Sequence, residues 1–154
     1  MKIVISLIIV FFSLSSKGQN NQLEDIIKKS LNLYVEKEKE SIRNAIEKNK
    51  LFFSIDNYPP NFTFEDTIQG IPIKYINLQN ASALKKILRK EVGIISLSTI
   101  ELKKNELIIG FSSYGAKLKK KVLYMYLSEG ISFVYEYSCE KQKWILVETK
   151  YKWI

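Results

Sequence analysis

Histidine is absent from all 154 residues of this chain, cysteine occurs once, and arginine occurs only as Arg43 and Arg89. Each absence excludes a chemistry. Without histidine there is no Ser-His or Cys-His nucleophile pair, no imidazole base and none of the commonest metal ligand. The single Cys139 cannot close an internal disulfide, nor can it build a thiolate-rich zinc site. The six glycines are scattered singly, so no phosphate-cradling GxGxxG or P-loop spacing occurs. Two arginines give little scope for bidentate recognition of phosphate or carboxylate. No cofactor and no metal is expected. Long apolar runs are also missing, apart from a stretch of about a dozen residues at the N-terminus, where a spanning helix needs roughly 20.

That stretch reads as an export signal. Lys2 supplies a positive start, Ile3 to Leu14 an apolar run interrupted by Ser6 and Ser13, and Ser16 and Gly18 the small residues before a cut at Gln19. Residues 1–18 are therefore expected to be a cleaved signal peptide and residues 19–154 a single domain, secreted or periplasmic, with no membrane span after cleavage. No cysteine follows the apolar run, which excludes the lipoprotein route. The signal ending before Gln, with the Lys-, Ile- and Asn-rich composition, resembles small exported proteins of Bacteroidetes. The net charge is +8. Loss of Lys2 and Lys17 leaves 22 basic against 16 acidic residues, or +6. Such a balance favours anionic partners, and export argues against nucleic acid as one of them.

In the remaining chain, apolar residues recur at helical spacing: Leu23, Ile26, Ile27, Leu31 and Tyr34, then Ile42, Ala45 and Ile46. The polar "VEKEKES" between the two groups fits one long helix with a wet middle or two helices with a break. "LFFSIDNYPPNFTFEDTIQG" follows, made irregular by Pro59-Pro60. Its aromatics Phe53, Tyr58, Phe62 and Phe64 either line a pocket or pack on the domain. "IPIKYINLQ" reads as a strand and "ASALKKILRKE" as a short helix capped by Asn80 or Ser82. From Gly93 onward the period becomes two, predicting four or five antiparallel strands in a meander with turns at "KKN", Ser128-Glu129-Gly130 and "KQ".

On the strand "ISFVYEYSCE", Ile131, Phe133, Tyr135, Tyr137 and Cys139 share one face. Cys139 thus extends an apolar face, and a thiol packed among aromatics behaves as a small hydrophobe. The alternatives are a nucleophile or an intermolecular disulfide at an exposed strand end. Glu136 shares the other face with Val134, and Glu148 is expected beside Trp144, Leu146 and Lys150. If one of these faces lines a pocket, a desolvated carboxylate there can act as a base. The candidate ligand-binding residues are Glu136, Glu148, Tyr135, Tyr137 and Trp144, and no catalytic or metal residue stands out.

A helical N-terminal segment, a strand, a short helix and a long meander: this element order resembles the nuclear transport factor 2-like and cystatin-like α+β groups. The resemblance covers residues 19–154 and implies an α+β fold. In it a curved antiparallel sheet of four to six strands packs on the helix and leaves a pocket between. Enzymes of the first group resembling ketosteroid isomerase use a pocket Asp with Tyr, or a His-Asp pair that this chain cannot supply. The resemblance carries over no functional residue. The expected function is an exported, non-enzymatic binding module holding a small molecule or a protein partner, with a homodimer among the possibilities. The alternatives are a histidine-independent lyase or isomerase using a buried carboxylate and a Tyr, and an inhibitor or immunity-like protein whose basic surface meets an acidic partner. The export reading has a direct check. Intact mass of the protein secreted by a bacterial host should begin at Gln19, and a chain retaining residues 1–18 would overturn it.

Overall fold

Apolar residues three and four apart carry the chain through its first helix. The computed structural model describes residues 22–48, 50–119 and 122–153; the expected signal peptide lies outside them. Helix α1 spans residues 22–37 and buries Ile26, Ile27, Leu31, Tyr34 and Val35 along one stripe. The stripe then lapses over the six polar positions 36–41, and the helix breaks there. Glu38 leaves helical geometry at φ −105° and ψ 16°. The bonds Glu38 N–H to Tyr34 O (3.1 Å) and Ile42 N–H to Glu38 O (2.9 Å) still bridge the junction. Helix α2 (Lys39–Glu47) resumes the stripe with buried Ile42 and Ile46. Of the two arrangements compatible with the sequence, the chain adopts two helices.

The strands follow as β1 (Leu51–Ser54), β2 (Thr67–Ile68), β3 (Ile71–Pro72), β4 (Tyr75–Ile76), β5 (Val92–Lys103), β6 (Glu106–Lys119), β7 (Val122–Ser138) and β8 (Lys143–Trp153), with α3 (Ala81–Ile87) between β4 and β5. Six of them form one sheet in the order β4-β1-β5-β6-β7-β8, while β2 and β3 pair separately. The expected all-antiparallel sheet is corrected at one side. β1 pairs in parallel with both β4 and β5. "LFFS" is a continuous apolar run, the pattern of a strand covered on both faces and flanked by neighbours, and it lies at the start of the stretch expected to be irregular. The fold is α+β, with N-terminal helices on a mixed sheet, and generically similar in shape to the nuclear transport factor 2-like and cystatin-like groups.

The two sheet faces are covered differently. On the first, Ile95, Leu97, Leu107, Ile109, Phe111, Ile131, Phe133 and Tyr135 form one core with the buried residues of α1 and α2. Full burial of a side chain such as Phe133 stabilises by about 1.5–3 kcal/mol. On the second face, Leu84 of α3 and Leu88 just after it pack with Ile76, Val92, Ile94 and Ala116. Leu118 N–H ties this layer to β6 by donating to Leu88 O at 3.0 Å.

Two further expectations change at β7. Ser128-Glu129-Gly130 is not a turn. β7 runs through it for 17 residues, and the register against β6 steps from Ser113–Glu129 to Tyr114–Leu127, leaving Ser128 as a bulge. A bulge absorbs one extra residue without ending the pairing, so the turn-like composition serves a kink instead. Cys139 is not packed on the apolar face. β7 ends at Ser138 and the turn to β8 lifts the thiol out, leaving it exposed and free.

One polar pair lies within the main core. Ser30 Oγ donates to Ile26 O (2.8 Å), so its proton is committed, and the Tyr135 hydroxyl must donate to Ser30 Oγ (2.8 Å). The order of donors makes the two deletions unequal. Tyr135→Phe leaves Ser30 bonded and should cost about 1 kcal/mol, whereas Ser30→Ala strands a fully buried phenol and should cost about 1–3 kcal/mol. Urea unfolding of both variants reads the order, and a costlier Tyr135→Phe would refute the donor assignment.

Candidate functional site

Where β5 and β6 leave the core under α1 and α2, two glycines face each other across the ladder: Gly93 opposite Gly115. Neither contributes a side chain, so a neighbouring group can approach the backbone closely at that point. A methyl at Gly93 would sit 2.9 Å from Leu51 Cδ1, and one at Gly115 would run into the Tyr126 ring, which lies across it. At this pair is an open cleft of about 470 Å³ walled by Lys50, Glu91, Ser113, Tyr126 and Ser128. The Tyr126 hydroxyl donates to Glu91 Oε1. That bond raises the phenol's pKa, with smaller contributions from desolvation and the Glu91 charge, so Tyr126 keeps its proton as a donor.

A second carboxylate pair adjoins the cleft. Glu129 follows Ser128 in the chain and stands directly across the ladder from Ser113. Its charge acts on Glu38, at the break between α1 and α2. Burial first, and Glu129 second, hold the Glu38 carboxyl above the usual carboxylate range. Tyr34, one helical turn before it, is buried against Phe111 with ring centroids 5.6 Å apart. Burial, then Glu129 and Glu38, push its phenol well up. Among the described residues Glu38 is the one carboxylate whose surroundings raise its pKa. Its place in the chain puts it there: Glu38 lies four residues after buried Tyr34 and four before buried Ile42, on the stripe that faces the sheet. A carboxylate lifted in this way is a better proton acceptor near neutral pH than an ordinary one.

The residues singled out from sequence lie elsewhere, and only some of them meet. Tyr135 is buried under α1, bonded to Ser30. Tyr137 and Trp144 are cross-strand partners in edge contact, centroids 5.5 Å apart. Glu136 and Tyr137 border a depression of about 650 Å³ at the β5–β6 turn, with Lys103, Lys104, Asn105 and Glu106. Glu148 is exposed and paired with Lys150 at 2.9 Å. The expected sharing of a face by Glu148 with Trp144 and Leu146 is corrected. β8 carries a bulge at Val147, where the register steps from Val134–Glu148 to Tyr135–Leu146. Trp144 and Leu146 therefore pack toward the main core while Glu148 and Lys150 face outward. The aromatic stretch closes on itself: Tyr58, Phe62, Phe64 and Tyr75 stack at centroid distances of 4.6 to 5.1 Å. Only about 10 Å³ remains between this cluster and α1, barely room for one water.

The cleft residues Glu91, Gly93, Gly115 and Tyr126, and Glu38 in the field of Glu129, were not among the candidates drawn from sequence. The one available signal was a glycine inside each of two strand patterns, which marks close approach or an open surface. Their cross-strand pairing needed the register. Among the described residues no helix is long and apolar enough to cross a membrane. Comparison of the chain with models of protein families, with curated proteins and with solved structures finds no match.

The Glu38 shift has a consequence for stability. A raised folded-state pKa means that the charged form is disfavoured in the fold. Its contribution is fully present below the unfolded value, about 4.3, and is lost as pH rises through the folded value. Glu38→Gln should therefore stabilise the protein at neutral pH and give no gain near pH 4. Urea melts of both proteins at the two pH values check this, and a gain confined to the acid side would contradict it.

Proposed function

We propose that the chain is a histidine-independent enzyme of lyase or isomerase type, acting on a small polar substrate in the Gly93–Gly115 cleft. Glu38 serves as general base, taking a proton from a carbon beside a carbonyl. Tyr126 turns its hydroxyl from Glu91 to the substrate oxygen and supports the negative charge that develops there. Lys50 on the cleft wall adds a positive charge of the same use. The observation carrying this reading is the Tyr126 donor laid over Gly115 in an open cleft, together with a carboxylate, Glu38, held above its ordinary pKa in the field of Glu129, the chain neighbour of the cleft residue Ser128. It agrees with the absence of histidine, since a carboxylate and a phenol suffice for proton abstraction next to a carbonyl. We also propose export to the periplasm or medium, on the strength of residues 1–18.

A second reading has its own support. Tyr137 and Trp144, in edge contact beside Glu136 at the rim of the 650 Å³ depression, make an aromatic platform with an acceptor. Such a platform suits a non-enzymatic binding module whose ligand carries hydroxyls or a cation. Glu148 lies with Glu136 on the opposite sheet face from Tyr137 and Trp144, and Tyr135, on the platform's own face, anchors β7 through Ser30.

Native mass spectrometry of the exported protein identifies the retained small molecule, which then serves as the probe. Under the enzyme reading Gly115→Ala, which displaces the Tyr126 ring, loses that molecule. Glu38→Gln keeps it but lowers turnover by about 10²–10⁴-fold. Binding unchanged by Gly115→Ala and abolished by Trp144→Phe would move the function to the platform.

A further inference from the structure

β7 is longer than the strand that covers it. β8 pairs with it only between Glu129–Trp153 and Ser138–Lys143. On that edge, among the described residues, the backbone from Val122 to Ser128 has no strand beside it, although its other edge is laddered to β6 from Val122 to Leu127. The side chains of this stretch are apolar and exposed: Val122 52%, Tyr124 55%, Met125 38%, Tyr126 53% and Leu127 42%. No charged residue interrupts it. Natural sheets blunt such an edge with charge, proline or a covering element, and here only the Ser128 bulge closes one end.

We propose that a second copy of this chain pairs along this edge, antiparallel, in a register centred on Met125. A two-fold axis normal to the sheet allows only registers in which like faces meet. This one sets Met125 opposite Met125, Leu123 opposite Leu127 of the second copy, and Tyr124 opposite its Tyr126. Tyr124 and Tyr126 lie on one sheet face, across the ladder from Lys117 and Gly115, and Leu123, Met125 and Leu127 lie on the other. Aromatic thus meets aromatic on one face and aliphatic meets aliphatic on the other, each contact made twice.

The ends match as well. Among the described residues the last pair of β8 is Trp153 with Glu129, one place beyond Ser128, and the register sets the second copy's Val122 opposite Ser128, so the added strand falls in line with β8. Charge agrees with the same orientation. Lys119 stands across β6–β7 from Val122, and Glu129 closes the other end. Antiparallel pairing brings the Lys119 end of each copy to the Glu129 end of the other. A foreign strand could use the same backbone groups, but it would not by itself reproduce this doubled match. Pairing also sets the second copy's Tyr124 beside Tyr126, the wall of the cleft, so that the two clefts lie on the same face of one continuous sheet.

Sedimentation equilibrium of the full chain should show a monomer–dimer equilibrium. Met125→Lys places two like charges at the two-fold and should weaken it by on the order of tenfold or more, with an unchanged thermal melt at dilutions where both proteins are monomeric, because the position is exposed. In a Cys139→Ser background, Met125→Cys should oxidise to a disulfide-linked dimer, since directly opposed residues lie within about 4.5–5.5 Å between Cα atoms. Val147→Cys in the same background, on the exposed bulge of β8, should not. A monomer at every concentration overturns the proposal. So does a dimer indifferent to Met125→Lys, or equal cross-linking through Val147→Cys. Hydrogen-exchange protection of residues 122–128 by an added strand-forming peptide on a monomeric protein would assign the edge to a foreign strand instead.

Discussion

The ladder between β6 and β7, continuous from Glu106–Glu136 to Lys119–Val122 across the Ser128 bulge, is the constraint on which the other features rest. Backbone groups on a buried strand have no water to bond, so once the apolar face from Ile131 to Tyr135 is drawn under α1, its neighbour in the ladder is held as well. The hairpin then runs on past the core under α1 and α2, with only its second face still covered, by α3 and Leu88. The cleft, the exposed edge of β7 and the position of Tyr126 all follow from that excess length.

Polar side chains that are buried are closed by their own hydrogen bonds: Ser30 with Tyr135 and the Ile26 carbonyl, and Ser54 with Asp56. Glu38 lies on the stripe that faces the sheet, between Tyr34 and Ile42, and its carboxylate is partly desolvated within the field of Glu129. A single polar residue on that stripe thus sets the electrostatics beside Glu129. The same economy holds at Gly93 and Gly115, where missing side chains cost the strands a little propensity and let the Tyr126 ring lie close to the backbone at the cleft.

Much of the architecture was legible along the chain. The helical spacing from Leu23 to Ile46 and the period-two runs from Gly93 onward identify the layers, because a helix stripe and a strand face repeat at different periods. Less legible were features that depend on one residue more or less. Ser128-Glu129-Gly130 has the composition of a turn and acts as a bulge. Val147 shifts Trp144 to one face and leaves Glu148 on the other. Cys139 lies one position past the strand end and so escapes the face to which alternation assigns it. Alternation extrapolates without error only while the register is unbroken.

The sequence by itself determined the α+β composition, the helical and strand periods, and the exclusion of histidine-based chemistry, because each is a property of residue types and their local spacing. Only the tertiary structure decided the parallel pairing of β1, the meeting of Gly93 with Gly115, the field of Glu129 at Glu38 and the uncovered edge of β7. These bring together residues distant in the chain, and their positions depend on bulges and strand ends set by competing backbone pairings rather than by local preference.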